Sequence, residues 1–271
     1  MGMNKNILLL IILGSFFACA QQQEITNLPR EYDVLHYMKI VNQNDVIDTL
    51  FITDSIPRKA KIYVASRTYT YQAYYIEQGL DTSSISEVVL IASNDLLDSK
   101  YTFNQVSITF INSLKLSDSI RLEHTTHNKT FSFWADSVKE GVIENIQEIW
   151  IHPVRFNQFL WTETIGYPQC MLPLSVNKTW TGQTSIPPNT WGDWGNSIIY
   201  NEYRVKDKKQ FYLKNTPINC WEITCISKMN GKTASATYLF HEEFGFVVMD
   251  YTHYSGDRIY FKMIDFTGYK D

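Results

Sequence analysis

The chain has 271 residues, 44% hydrophobic and 19% charged, which is enough apolar material for one full-sized core or two small ones and excludes a disordered tail or a miniature disulfide scaffold. Twenty-four Lys and Arg against 28 Asp and Glu give a formal charge of -4, and no stretch gathers the cations into a stripe that could track phosphates, so nothing here fits a nucleic-acid partner. With 17 Tyr, 15 Phe and 7 Trp, the composition favours strands over helices.

Residues 1–18 read as a secretion signal: Lys5, then an apolar run from Ile7 to Phe17, then small Ala18. The run is shorter than the roughly 20 residues that span a hydrocarbon core, and no later segment approaches that length. Phe16-Phe17-Ala18-Cys19 resembles the lipobox of bacterial lipoproteins. That resemblance makes Cys19 the mature N-terminus, diacylated on its sulfur with palmitate-type chains, and residues 19–31 a lipidated tether that opens with Ala20-Gln21-Gln22-Gln23-Glu24. Phe16 departs from the Leu preferred there. The rival reading is an Ala18-Cys19-Ala20 cleavage signal that releases a soluble protein.

From residue 32 to 152 short apolar runs alternate with Asn, Asp, Ser and Lys, as at Val46–Ile52, Ala60–Tyr75, Val88–Ala92, Val106–Ile111 and Ile120–Leu122. This pattern predicts an N-terminal antiparallel β region. Val138, Val142, Ile146 and Ile149 fall at helix spacing, although Gly141 weakens a helix and Glu148–Ile151 reads equally as a strand. From His152 to Thr190 lie five of the eight prolines, which predicts loops, edges and crossings and not a central strand. Ile199–Leu213 predicts one or two strands, and Asn219–Lys228, Thr233–Phe240, Phe246–His253 and Asp257–Phe266 form a meander punctuated by Asn230-Gly231, Phe244-Gly245 and Ser255-Gly256. The expected fold is mainly β, an antiparallel meander, half-open barrel or sandwich with few helices. Residues 153–271 form either a second unit or one continuous with 32–152.

Phosphate-binding, nucleophile-elbow and zinc-helix motifs do not occur, and the reading assigns no catalytic residue, metal or cofactor. Of the six histidines only His124 and His127, beside Glu123, are close in sequence, and exposed loop positions explain them better than a metal does. His241-Glu242-Glu243 reads as a charged turn. In an oxidising compartment Cys170, Cys220 and Cys225 admit at most one internal disulfide, Cys170 with Cys220 or Cys225; three buried, unbonded thiols are the other reading. Five of the seven tryptophans fall between residues 150 and 195. Trp180, Trp191 and Trp194 could form a stacking platform for a ligand, or plug the end of a sheet.

The run Glu148-Ile149-Trp150-Ile151-His152-Pro153, followed by Tyr167-Pro168-Gln169, Leu172-Pro173-Leu174 and Lys178-Thr179-Trp180, resembles uncharacterised envelope lipoproteins of Gram-negative bacteria. In these a β-meander ends in an aromatic block like Tyr238–Phe240 and Phe244–Val247. The match covers about residues 148–266 and implies no activity. More loosely, the meander is similar to the half-barrel of periplasmic lipoprotein carriers, which implies acyl-chain binding, although the covering helices of that family are not found here. The leading expectation is a non-enzymatic, lipid-anchored protein of the bacterial envelope, at the outer membrane, that binds an apolar or amphiphilic ligand or an envelope partner, or serves structurally. A glycan-binding module built on the loop tryptophans is the alternative. A hydrolase using His152 or His241 is the third reading.

Overall fold

The structure is a computed structural model that describes residues 32–40, 47–57, 61–65, 67–79, 84–96, 106–112, 135–186 and 196–268. It is mainly β: β1 (Tyr32–Ile40), β2 (Ile47–Pro57), β3 (Thr68–Ile76), β4 (Ser84–Leu96), β5 (Val106–Asn112), β6 (Ser137–Glu144), β7 (Glu148–Ile151), β8 (Gln169–Met171), β9 (Thr179–Ile186), β10 (Ser197–Leu213), β11 (Thr216–Met229), β12 (Lys232–His241), β13 (Gly245–Thr252) and β14 (Arg258–Thr267). A 3₁₀ helix (Asn157–Thr164) lies between β7 and β8. The signal, Cys19, His124, His127, Ile120–Leu122, Trp191 and Trp194 lie outside the described residues.

β1 and β2 pair with each other in a two-stranded sheet. The other twelve strands form one antiparallel sheet in the order β8-β7-β6-β5-β4-β3-β14-β13-β12-β11-β10-β9. Each strand from β3 to β7 pairs with the next, as does each from β9 to β13, and β14 returns to pair with β3, with Tyr260 opposite Tyr74. The sheet is therefore a nearly closed barrel, and among the described strands its seam lies between β8 and β9. Strands on either side of residue 152 belong to this one sheet.

Alternation sets the inward faces. In β10, Ile199, Asn201, Tyr203 and Val205 are buried while Tyr200, Glu202, Arg204 and Lys206 are exposed. Ile199–Leu213 thus forms part of a single long strand. Two-residue turns with positive φ close the hairpins, at Lys214-Asn215 (φ 47° and 68°) and Asn230-Gly231 (φ 50° and 75°). The β10–β11 hairpin bends at an irregularity between Val205 and Lys208, and its tip reaches β14, where Lys214 pairs with Asp265 and Lys262 lies over the Phe211 ring.

The helical spacing between Val138 and Ile149 is overturned: these residues form β6 and β7. Ile146, which a helix would bury, is 55% exposed in the connecting turn, where Asn145 Oδ1 accepts the N–H groups of Gln147 and Glu148 (both 2.8 Å). The inward series of β6 is instead Glu140, Val142 and Glu144, the two-residue period of a strand.

Residues 153–168 do not cross the surface. Val154, Phe156, Phe159, Ile165 and Tyr167 are buried, and the segment meets the inner faces of the C-terminal strands. Phe159 packs on Phe261 at 4.9 Å between ring centroids, and Trp161 lies on His253 at 4.7 Å. The Gly166 N–H donates to Ser227 Oγ (2.8 Å), its carbonyl accepts the Tyr238 hydroxyl, and the Tyr203 hydroxyl donates to the Tyr167 carbonyl (3.0 Å). This crossing is an internal plug. Its Gly166 and Tyr167 carbonyls are satisfied by tyrosines projecting from the sheet, and the Pro168 carbonyl accepts the Ile151 N–H of β7 (3.1 Å).

Candidate functional site

A charged cluster holds the plug where it enters. Glu140 projects inward from β6 beside the chain leaving β7, which carries His152 and Arg155, and the 3₁₀ helix returns Glu163 to the same place. Arg155 Nε donates to Glu140 Oε1 (2.6 Å) and its Nη1 to Glu163 Oε1 (3.4 Å). His152 Nδ1 faces Glu140 Oε2 at 3.3 Å, and Nε2 faces Glu163 Oε2 at 3.4 Å. All four carboxylate oxygens therefore meet a nitrogen of the same two residues. Tyr167 lies beside Glu163, and burial together with the charge of that carboxylate raises its hydroxyl; its ring lies 5.0 Å from that of His152, and Trp150 stands edge-on to the imidazole at 5.9 Å.

Burial and charge compete here. Burial alone would strip His152 of its proton, but Glu163 and Glu140 outweigh it and hold the imidazole above its ordinary value. For Glu163 burial is outweighed by His152 and Arg155, which hold the carboxyl below the usual range. Glu140, only 3% exposed, goes the other way, because burial wins over the same two cations. With one proton shared across Glu140 and His152 the four groups sum to zero charge, which suits a low-dielectric site. Chemically this is a self-neutralised brace, in which Glu163 Oε2 has a charge contact with His152 but no hydrogen bond, and His152 Nδ1 also meets the Pro153 carbonyl at 3.3 Å.

Two further buried carboxylates also fasten chain to chain. Glu144 accepts the backbone N–H groups of Lys61 (2.6 Å), Ile62 (2.8 Å) and Tyr63 (2.9 Å), pinning the segment before β3 onto β6. Glu148 accepts from Gln169 Nε2, and Gln169 Oε1 in turn accepts Trp180 Nε1 at 3.1 Å. Gln169 is on β8 and Trp180 on β9, so this relay spans the seam.

The tryptophan platform resolves only at Trp180. Its ring stacks on Tyr203 (5.2 Å, interplanar angle 6°), its cross-strand neighbour, and its N–H serves Gln169, so its ring and its one polar handle are both in structural use. The Cys170 pairing with Cys220 or Cys225 does not form. All three are buried free thiols, and burial pushes Cys220 and Cys225 up to about 12. His241 stacks on Phe244 in the turn after β12, and His253 accepts the Ser255 N–H under Trp161 (3.2 Å). His152 thus lies in the charged cluster and His241 in contact with the turn after β12. Among the described residues no group of three His, Cys, Asp or Glu is arranged to hold a metal ion.

Sequence reasoning passed over Glu140, Arg155, Glu163 and Tyr167 as members of a cluster. The available signal was Glu140-x-Val142-x-Glu144: two carboxylates in phase with a core valine on a strand.

No family model and no curated protein matches the chain. Among solved structures, it is similar to a protein of YmcC-like fold from Bacteroides fragilis NCTC 9343 (7% identity, TM-score 0.37, covering 78% of this chain and 98% of that one). It is also similar to the hypothetical lipoprotein YmcC from Escherichia coli K12 (6% identity, TM-score 0.35, 78% and 91%).

Proposed function

We propose that this chain is an exported, lipid-anchored protein of the bacterial envelope, held at the outer membrane through Cys19, whose barrel is a non-catalytic scaffold for a protein partner in the envelope. The observation that carries the scaffold reading is the occupied interior. The plug and the inward rings of Tyr69, Tyr71, Phe110, Tyr238, Tyr251 and Phe261, each essentially inaccessible, fill the space that an acyl-chain carrier would keep for its ligand. Recognition then belongs to the outer surface. The Tyr203 stack and the Gln169 bond of Trp180 weigh against the glycan reading at that residue, which then draws on Trp191 and Trp194.

Cys19→Ser should move the protein from the membrane to the soluble fraction and abolish incorporation of labelled palmitate; unchanged fractionation would remove the anchor. The soluble variant, purified without detergent, should give the bare protein mass in native mass spectrometry. A phospholipid or fatty acid retained at one per chain would overturn the filled scaffold and restore an internal lipid site.

A further inference from the structure

We propose that the Glu140–His152–Arg155–Glu163 cluster is a proton-operated latch on the plug: with its proton in place it ties residues 153–168 to β6, and loss of that proton as pH rises loosens the segment. The argument starts from geometry. Both imidazole nitrogens face carboxylate oxygens, 3.3 Å to Glu140 and 3.4 Å to Glu163. A neutral imidazole has one donor, so one of these contacts would become lone pair against lone pair unless Glu140 carries the proton instead. In either arrangement a single proton lies between Glu140 and His152, and its removal leaves a buried site with two carboxylates facing one guanidinium.

The charged and titratable groups facing His152 are Glu140 from β6 and Arg155, Glu163 and Tyr167 from the crossing segment, with Trp150 of β7 packed on the ring. Arg155 stays charged throughout and keeps a contact to each carboxylate. Deprotonation therefore weakens the tie without abolishing it. The location gives it leverage. The latch joins the first residues of the plug to its helix and to the sheet, while the far end is held by uncharged hydrogen bonds through Gly166 and Tyr167. A change in the charge of the latch should thus act on the plug before it acts on β12 and β13.

Amide hydrogen exchange of the full chain in detergent, from about pH 6 to about pH 9 and corrected for intrinsic rates, tests this. Because the latched state binds one proton more than the released state, protection of residues 153–168 should fall by up to about tenfold per pH unit above the ordinary histidine value, while β12 and β13 keep theirs. His152→Gln should give low, pH-independent protection of the same segment. A flat profile in the unaltered protein, or a slope that survives in His152→Gln, would overturn the proposal. If His152→Gln does not fold, the NMR titration of the imidazole and of the Glu140 carboxyl in the unaltered chain decides: the proton shared by the pair should be lost only above pH 6.5, and its loss at or below 6.5 removes the latch.

Discussion

Gly166 shows how tightly the plug is fitted. A Cβ there would overlap Cys225 Sγ and lie 2.9 Å from the Tyr203 hydroxyl, while the residue's own N–H and carbonyl are both bonded to the sheet. Gly166→Ala should therefore cost about 1–3 kcal/mol in denaturant titration. Because the first obstacle is a thiol, Cys225→Ala should recover part of that loss, so the double variant is less destabilised than the sum of the two singles. Strict additivity would show that Cys225 is not what the new methyl group meets. The same burial governs thiol chemistry. A thiolate is the reactive form, and burial holds Cys170, Cys220 and Cys225 well above the ordinary thiol value. In a chain with Cys19 replaced by Ser, a disulfide-exchange reagent at neutral pH should label none of the three until denaturant is added; rapid labelling of the native protein would contradict their burial.

Between elements, the fasteners are carboxylates aimed at backbone or at side chains across a gap. Glu144 is the clearest, since its two oxygens serve three consecutive N–H groups of residues 61–63. In Glu144→Gln one oxygen becomes an NH₂ that faces a donor, so at least one N–H is left unpaired; the expected loss is about 2–3 kcal/mol, read as a lower denaturation midpoint with unchanged slope. A loss within 0.5 kcal/mol would mean that water replaces the lost acceptor, as roughly at an exposed site. The C-terminal hairpins were legible because their signals are local: Asn230-Gly231 fixes a turn, and Thr233–Phe240 alternates cleanly on either side of one sheet. Among the N-terminal strands β6 was less legible, because Glu140 and Glu144 occupy inward positions where charge is not expected and so blur its period. The plug was illegible for a different reason. Prolines at 153 and 168 bracket the plug, and those at 168 and 173 flank the short edge strand β8, but nothing in the one-dimensional pattern shows that tyrosines about 36 to 72 residues further on will satisfy the carbonyls of Tyr167 and Gly166.

For the whole molecule, two histidines should give the stability profile opposite slopes. His253, buried beneath Trp161, is lowered by desolvation to about 4, whereas an unfolded chain would protonate it near 6.5. The unfolded state therefore binds more protons between those values, and the His253 contribution, fully present above 6.5, is lost as pH falls towards 4, by an amount of up to about 3 kcal/mol. His152 has the reverse sign. Its value is raised, so its contribution is fully present below 6.5 and disappears as pH rises through the higher folded-state value. Glu163, held below the carboxylate range, adds a further loss only at still lower pH. Denaturation midpoints measured across this range should thus separate the two. His253→Gln should flatten the limb between about 6.5 and about 4 and leave the alkaline limb alone, and His152→Gln should do the opposite. Parallel profiles for the parent and His253→Gln would mean that the imidazole beneath Trp161 takes up its proton as readily in the folded barrel as in the unfolded chain, and the acid limb would then have to come from lowered carboxyls such as Glu163, since the raised Glu140 carries the opposite sign.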